Sequence, residues 1–350
     1  MGRATNLRDL VGKLKDKASQ SKAALLSNPK ALSLHLALLR ATTHDPSAPP
    51  NQRHLATLLS FGNGSRATAA SAVDVLMDRL QTTHDAAVAL KCLITIHHVI
   101  KHGSFILQDQ LSVYPFTGGR NYLNLSNFRD NSTVLGWELS SWVRWYALYL
   151  EQVLATSRIL GFFLCSSSAA KDEVEENVST LLNSDLVKDI DSLSNLLYEM
   201  CKRPDSLNEQ GKRLVDKVME LVGEDSLSAI NEIAMRVNEL KERLSYLSFA
   251  DSVELVCALR MLEGCKERLA AILTQGKTVS TETFWGLIGE VKDMVEDSKV
   301  YTGEGRLLST GSKNNGSESA RFDDRALRRN DSVRFSSGRL LAFTDLVFQS

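Results

Sequence analysis

The chain has little of what marks a secreted, membrane-spanning or catalytic protein. Its 350 residues contain no run of about eighteen uncharged apolar residues, the length that a membrane-spanning helix requires. Arg8 and Asp9 interrupt any apolar region near the start, so no signal peptide is predicted. Phosphate-binding loops with Gly-Lys-Ser/Thr, His-Glu-x-x-His zinc motifs and Gly-x-Ser-x-Gly turns are also missing. We therefore expect a cytosolic protein that is not an enzyme, has no catalytic residues and needs no cofactor.

Cysteine is scarce, and no Cys-x-x-Cys pair occurs. There are five cysteines, an odd number: Cys92, Cys165, Cys201, Cys257 and Cys265. This usage fits a reducing compartment better than a disulfide framework. Each cysteine lies in an apolar context of helical character, so each is expected to be buried.

Histidine spacing suggests a metal site at one place, but the ligand set is incomplete. His98 and His102 lie one helical turn apart, as metal ligands on a helix can. No third ligand follows at a characteristic spacing. The His-Asp pairs at 44–45 and 84–85 lie near predicted helix ends, where Asp is a common cap. We expect no metal to be bound.

Charge is distributed unevenly along the chain. Residues 1–102 carry 13 Lys and Arg against 6 Asp and Glu, and they hold all seven histidines. This end of the protein is therefore expected to face an anionic surface. Nucleic acid is not expected to be the partner, because this region lacks the aromatic residues of a base-stacking platform.

Residues 1–28 are predicted to form a basic amphipathic segment. Apolar residues at helical spacing define one side of it: Leu7, Leu10, Val11, Leu14 and Ala18. Lysines occupy other positions around the turn: Lys13, Lys15, Lys17 and Lys22. Two interpretations stay open, an interfacial helix that orders on lipid and an ordinary first helix docked on the domain.

The remaining chain is predicted to be helical, because apolar residues recur at intervals of three and four. Helices alternate with short turns between residues 29 and 165, which is typical of stacked α-hairpins. Residues 86–100 predict a buried central helix, and residues 137–163 predict a long aromatic one. Residues 172–300 predict an antiparallel bundle, with helices at 184–202, 208–222, 226–247, 252–274 and 281–298. Residues 301–350 lose the periodicity and are predicted to be a disordered tail.

A proline-rich corner at residues 40–54 joins two of the predicted helices. Pro46, Pro49 and Pro50 lack backbone donors, so this stretch should be non-helical and lie on the surface. The basic side chains expected there are Arg40, His44, Arg53 and His54. The second helix would direct free N–H groups and the positive end of its dipole to the same place. The corner predicts an anion site, and a solvated turn with incidental charges is the alternative.

This corner resembles the phosphoinositide-binding motif of the ANTH domain of clathrin assembly proteins. The family pattern is a basic residue with Ala-Thr, about six residues, then Pro, a basic residue, any residue, a basic residue and His. The chain has Arg40–Thr42 and Pro50–His54 in these places, with one extra residue in the spacer and Asn51 where the family usually has Lys. By resemblance, the head-group ligands map to Arg40, Arg53 and His54.

The resemblance extends beyond the corner. Residues 87–103, 127–130 and above all 137–151 follow the helices of the family in order. Within the family, the chain looks closest to the short plant members. The resemblance implies an all-α, right-handed stack of α-hairpins of the ENTH/ANTH type that continues into the antiparallel bundle.

The resemblance also implies a function. The chain would be an endocytic adaptor that binds phosphatidylinositol 4,5-bisphosphate through Arg40, Arg53 and His54, helped by Lys13, Lys15 and Lys17. It would act on the cytoplasmic face of membranes, in clathrin-coated pits and vesicles at the plasma membrane or the Golgi. Its implied partners are clathrin and the SNARE helix of a vesicle protein. The alternative is a soluble helical scaffold that binds proteins and touches lipid only incidentally.

Overall fold

Helices cover most of the chain, as the apolar spacing predicts. The computed structural model describes residues 2–26, 29–115, 123–164, 177–205, 211–273 and 281–308. The α-helices, numbered in chain order, are α1 (Gly2–Leu26), α2 (Pro29–Ala41), α3 (Gln52–Ser60), α4 (Arg66–Thr82), α5 (Ala86–His102), α6 (Phe105–Ser112), α7 (Val134–Leu160), α8 (Asn183–Cys201), α9 (Lys212–Glu242), α10 (Phe249–Leu273) and α11 (Thr281–Leu308). No strand occurs within these described ranges, and the prediction of an all-α fold is confirmed.

One predicted helix break is absent. The sequence predicts separate helices on either side of Gly223, whereas α9 runs from Lys212 to Glu242 without interruption. A glycine inside a helix costs only about 1 kcal/mol relative to alanine. Val222 and Ser226 are buried on either side of the glycine. Packing of these neighbours therefore outweighs the weak local preference for a break.

The last helix extends past the predicted start of the tail. α11 continues to Leu308, although the sequence predicts loss of structure from residue 301. Adding residues to an existing helix is easier than starting a new one, so the glycines at 303 and 305 do not stop it at once. The predicted tail beyond this point, residues 309–350, lies outside the described residues. So does the segment between the predicted hairpin stack and the predicted bundle, residues 166–171.

The chain divides into two compact units, Met1–Thr302 and Gly303–Ser350. The predicted hairpin stack and the predicted bundle both belong to the first of these units. Within the second unit, the structure describes residues 303–308, which are helical. In the described residues, no helix is both long enough and apolar enough to cross a membrane.

The N-terminal hairpins pack around α5, the central helix that the sequence predicts. Asp85 caps this helix, because its Oδ1 accepts hydrogen bonds from the N–H groups of Ala87 and Val88 at 2.9 and 3.0 Å. Every residue from 86 to 101 is buried. The helix contacts α3, α4, α6, α7 and α9. It is therefore the support on which the corner between α2 and α3 rests.

The C-terminal helices pack as a bundle against α7. The aromatic stripe predicted on α7 is buried, with Trp142, Tyr146 and Tyr149 among the most enclosed side chains. α8 contacts α7 on one side and α9 and α10 on the others. The indole Nε1 of Trp145 donates a hydrogen bond of 2.9 Å to the carbonyl of Glu199 at the end of α8. Core packing, rather than an open partner groove, accounts for this stripe.

A buried charge cluster connects the hairpins to the bundle. Asp225 of α9 lies 3.1 Å from Lys101 Nζ and accepts a 2.6 Å hydrogen bond from the Tyr149 hydroxyl. His97 Nε2 lies 2.8 Å from the same carboxylate, at ion-pair distance but without hydrogen-bond alignment. Burial raises the pKa of Asp225, but His97, Lys101 and Tyr149 outweigh it and lower this pKa to about 2. Asp225 is thus a carboxylate at neutral pH despite its burial.

Burial of the cysteines follows the prediction with one exception. Cys92, Cys201 and Cys265 are buried, but Cys257 is exposed. It lies on the solvent side of α10, where Glu254 and Arg260 are also exposed. An apolar sequence context alone does not show which side of a helix faces the core. Cys165 lies outside the described residues.

Candidate phosphoinositide site

Two threonines at the start of the corner loop attach it to α4 and α5. Thr42 is fully buried, and its carbonyl accepts a 3.2 Å hydrogen bond from the Arg79 guanidinium of α4. The hydroxyl of Thr43 accepts a 2.9 Å hydrogen bond from Lys91 Nζ of α5. The Ala-Thr dipeptide of the sequence motif therefore begins an anchored loop, which positions the side chains that follow it.

Lys91 is a residue of the site that the charge pattern of the corner does not identify. It is almost fully buried beneath the loop, and burial lowers the pKa of its ammonium to about 8. The carboxylates of Asp45, Asp16 and Asp85 act in the opposite direction. The signal in the sequence is a lysine inside the apolar run of residues 86–94. A buried lysine needs a hydrogen-bond partner, and here Thr43 of the corner is that partner.

Asn51 explains one departure from the family pattern. Its side-chain oxygen accepts a hydrogen bond of 2.9 Å from the N–H of Arg53, so this residue is the N-cap of α3. A lysine in this position could not accept that bond. The chain therefore has a well-capped helix start at the position where the motif it resembles has a cation. Before it, Asp45 organises the loop by accepting hydrogen bonds from the N–H and hydroxyl of Ser47.

The three predicted head-group ligands lie at the two helix ends that meet at the corner. Arg40 at the end of α2 and Arg53 at the start of α3 are exposed, and His54 is half-buried. Burial lowers the pKa of His54, and the charges of Arg40 and Arg53 lower it further. Both guanidinium groups must lie near the imidazole to act on it in this way. The corner is therefore a cluster of positive charge at a helix N-terminus.

His44 does not join this cluster. Its backbone N–H donates to Asp16 Oδ2 at 3.2 Å, and its Nδ1 lies 2.6 Å from Asp16 Oδ1. Asp16 belongs to α1, so this pair attaches the first helix to the corner. Gly12, one turn earlier, allows the close approach, because a Cβ there would lie 3.2 Å from the Cβ of His44. The sequence places His44 among the corner cations, whereas the structure gives it a docking role.

α1 attaches through its small and polar side and leaves its apolar side uncovered. Leu10, Val11 and Leu14 are 64, 45 and 68% exposed. The predicted site residues Lys13, Lys15 and Lys17 are exposed on the same helix. At 3.6 residues per turn, the leucines lie nearly opposite Gly12 and Asp16, with lysines on both flanks. α1 is therefore docked on the domain, as an ordinary first helix would be. It also keeps the exposed apolar stripe that an interfacial helix needs to bind lipid.

A cavity of about 340 Å³ lies between α3, α5 and α9. His98 and His102, the pair spaced as metal ligands, line it together with Lys217 and Glu224. The Nε2 atom of His98 is buried there without a hydrogen-bond partner. Burial, with Lys217 next in effect, lowers the pKa of His98 to about 3. In the part of the chain that the structure describes, no three His, Cys, Asp or Glu side chains are grouped to hold a metal.

Comparisons with known proteins agree with the fold. The sequence profile of the ANTH domain matches residues 33–284. One Arabidopsis thaliana protein, named as a clathrin assembly protein, is 58% identical over 348 residues, which cover 97% of this chain and 95% of that protein. Two further Arabidopsis thaliana proteins of that name are 33 and 32% identical over 82% of this chain, and they are covered over 85 and 99% of their lengths. The resemblance to short plant members is thereby confirmed.

The position of the match decides the family. The matched region begins within α2 and ends within α11, so it includes the corner, the central helix and the bundle. The relative that is 58% identical aligns with nearly the whole length of the chain. The chain belongs to the ANTH domain family, whose members are structural adaptors and not enzymes.

Proposed function

We propose that this protein is a peripheral membrane adaptor that binds phosphatidylinositol 4,5-bisphosphate at the corner between α2 and α3. Arg40, Arg53 and His54 would contact the phosphates of the head group, and the N–H groups at the start of α3 would add hydrogen-bond donors. The observation that carries the proposal is the position of the three side chains at the two helix ends that the corner joins, with both arginines exposed. The lowering of the His54 pKa by Arg40 and Arg53 supports it.

The depressed pKa of His54 itself supports an anion as the ligand. Clustered positive charges repel one another, and no carboxylate contributes to the pKa of this imidazole. A phosphate group bound between the two guanidinium groups would relieve that repulsion. Asp16 and Asp45, the nearby acidic residues, are already engaged with His44 and Ser47.

α1 would supply the second contact with the membrane. Three lysines near an anionic leaflet contribute roughly 1 kcal/mol each, and about 4 kcal/mol corresponds to only millimolar affinity. Lys13, Lys15 and Lys17 would therefore not hold the protein on a bilayer by themselves. Insertion of the exposed Leu10 and Leu14 between lipids, together with the head-group site, would make the attachment stable.

The partner in the coat is proposed from the relatives. Similar Arabidopsis thaliana proteins are named as clathrin assembly proteins, and we infer the same assembly for this chain. It would then link the cytoplasmic leaflet to clathrin in coated pits and vesicles, at the plasma membrane or the Golgi. Docking of a vesicle SNARE helix on the α8–α11 bundle is part of the same proposal.

Vesicle sedimentation of the full chain tests the lipid site. The vesicles contain phosphatidylcholine and phosphatidylserine, with or without phosphatidylinositol 4,5-bisphosphate. Replacing both arginines, as Arg40→Gln with Arg53→Gln, should weaken binding to the bisphosphate vesicles by about 30-fold, since each charge contributes about 1 kcal/mol. Arg213→Gln removes an exposed arginine at the start of α9 and is the matched control.

Two outcomes would contradict the proposal. If the double variant sediments like the unmodified chain, the corner is not the lipid site. If bisphosphate lipid makes no difference while a SNARE peptide binds tightly, the soluble scaffold is the better description. A Leu10→Ser, Leu14→Ser variant separates the contribution of α1, because it should weaken binding to all anionic vesicles alike.

A further inference from the structure

Two cysteines that are far apart in the sequence meet inside the bundle. Cys201 is the last residue of α8, and Cys265 lies in the middle of α10. The thiol of Cys201 donates a weak hydrogen bond to the backbone carbonyl of Cys265, with 3.9 Å between the sulfur and the oxygen. The side chains are 6 and 2% exposed. Both are reduced in the structure.

We propose that Cys201 and Cys265 form a reversible redox pair, which hydrogen peroxide converts into a disulfide that joins α8 to α10. The Cys265 thiolate would attack one peroxide oxygen, and the O–O bond would break to leave a sulfenic acid and, after protonation, water. The Cys201 sulfur would then attack the Cys265 sulfur, displacing hydroxide, which takes the Cys201 proton and leaves as a second water. Two thiols lose two electrons in total, and one peroxide gains them.

The surroundings make Cys265 the attacking thiol. The hydrogen bond from Cys201 lowers the pKa of Cys265, and the charges of Arg268 and Lys202 lower it as well, against the effect of burial. Arg268 is held at the pair, since its Nη1 donates a 3.3 Å hydrogen bond to the Cys201 carbonyl. The pKa of Cys201 is raised, first by its hydrogen bond to Cys265 and then by burial. Cys265 is therefore the thiol that ionises more readily, and Cys201 keeps its proton until the disulfide forms.

Of the other two described cysteines, one lies too far from Cys265 to pair with it and the other has an unreactive thiol. Cys257 lies on the same helix as Cys265, eight residues away, which is about 12 Å along an α-helix. A disulfide needs Cα atoms within about 7 Å. Cys92 is fully buried in α5, and burial raises the pKa of its thiol to about 12. Exposed Cys257 is the thiol that a non-selective oxidant would modify first.

Peroxide can reach the pair from the end of α8. Cys201 is the last helical residue, and Lys202 after it is exposed. Helix ends open locally at a far lower free energy than the whole domain unfolds. A small neutral oxidant therefore needs only a local opening, whereas a bulky alkylating reagent is hindered.

Peptide mapping of the full-length chain tests the proposal. The reduced protein is treated with hydrogen peroxide, alkylated and digested with trypsin without reductant. Cleavage after Lys188, Lys202, Arg260 and Lys266 places Cys201 in peptide 189–202 and Cys265 in peptide 261–266, apart from Cys257. We expect these two peptides to be linked as the main product and to separate on treatment with dithiothreitol. The oxidised chain should melt about 5 °C higher, because the bond closes a long loop.

Single variants and an unfolded control complete the test. Cys201→Ser and Cys265→Ser should each abolish both the linked peptides and the rise in melting temperature, whereas Cys257→Ser should leave them unchanged. When the chain is unfolded in guanidinium chloride before oxidation, Cys201 and Cys265 should pair with each other no more often than with the other cysteines. Oxidation that stops at Cys257 with Cys201 and Cys265 still reduced, or links distributed equally among the cysteines of the folded chain, would overturn the proposal. The peptide map of the unmodified chain decides the matter even if a serine variant folds poorly.

Discussion

The Asp16 carboxylate holds His44 at two points, the backbone N–H at 3.2 Å and the ring Nδ1 at 2.6 Å. Because a carboxylate only accepts hydrogen bonds, Nδ1 carries the proton in this pair. The first helix is thus attached to the same corner that carries Arg40 and Arg53. The membrane contact proposed for α1 and the head-group contact proposed for the corner would therefore involve adjoining parts of the molecule.

Breaking this pair should release α1. With Asp16→Ala, we expect faster tryptic cleavage after Lys13, Lys15 and Lys17, because the helix loses its polar attachment while the exposed leucines offer no other. The circular dichroism of the remaining domain should change little. Asp45→Asn, at an exposed carboxylate in the same corner, is the control. Equal cleavage of the two variants would mean that packing around Gly12 holds α1 without Asp16.

Restoring the residue that is usual in the family should have opposite effects on binding and stability. Asn51→Lys adds a cation beside Arg53, so binding to bisphosphate vesicles should strengthen about fivefold, or roughly 1 kcal/mol. The same change removes the side-chain cap of α3 and should lower the free energy of unfolding by about 1 kcal/mol. Sedimentation and urea unfolding measure the two effects. Asn51→Ala should show the loss of stability alone.

Lipid binding should depend on pH through His54. Burial and the two arginines lower its pKa below the ordinary 6.5, so the imidazole is largely neutral at pH 7 in the free protein. A bound phosphate favours the charged form, and binding therefore takes up a proton. Affinity for bisphosphate vesicles should rise as pH falls from 7 through 6.5, by at most about tenfold per unit. His54→Gln should flatten this dependence, and an unchanged slope in that variant would exclude His54 as the source.

His98 should make the protein sensitive to acid. Its pKa of about 3 in the folded state lies below the unfolded value of 6.5. The unfolded chain thus binds the proton first, and stability is lost as pH falls below 6.5, a loss that continues down to about pH 3. At pH 5 the loss should reach about 2 kcal/mol. Urea unfolding at pH 7 and 5 measures this loss of stability. His98→Gln should reduce the loss, whereas His84→Gln, at an exposed position, should leave it unchanged.

The buried carboxylate of Asp225 should contribute far more to stability than the carboxylate of the adjacent Glu224. Asp225→Asn removes the buried negative charge that faces Lys101 and should lower the free energy of unfolding by about 3–5 kcal/mol. Glu224 also contacts Lys101, at 2.7 Å, but its side chain is half exposed. Glu224→Gln should therefore cost less than about 1 kcal/mol. Similar losses in the two variants by urea unfolding would show that burial does not separate their roles.

Much of the fold and part of the site could be predicted from the sequence. The spacing of apolar residues identified the central helix and the long aromatic helix, because a helix must bury one side whatever its neighbours are. The prolines at 46, 49 and 50 located the corner. The uninterrupted α9 could not be predicted, since the packing that carries the helix through Gly223 comes from other helices.

The features that only the tertiary structure decided are contacts between residues that are far apart in the sequence. By itself, the sequence determined the helical class, the corner and its arginines, because these depend on local spacing and on backbone chemistry. Only the fold decided that Lys91 supports Thr43 across 48 positions, that Asp225 faces Lys101 across 124, and that Asp16 withdraws His44 from the cluster. Such partners are chosen by the packing of whole helices, and no local pattern of residues specifies which side chains that packing brings together.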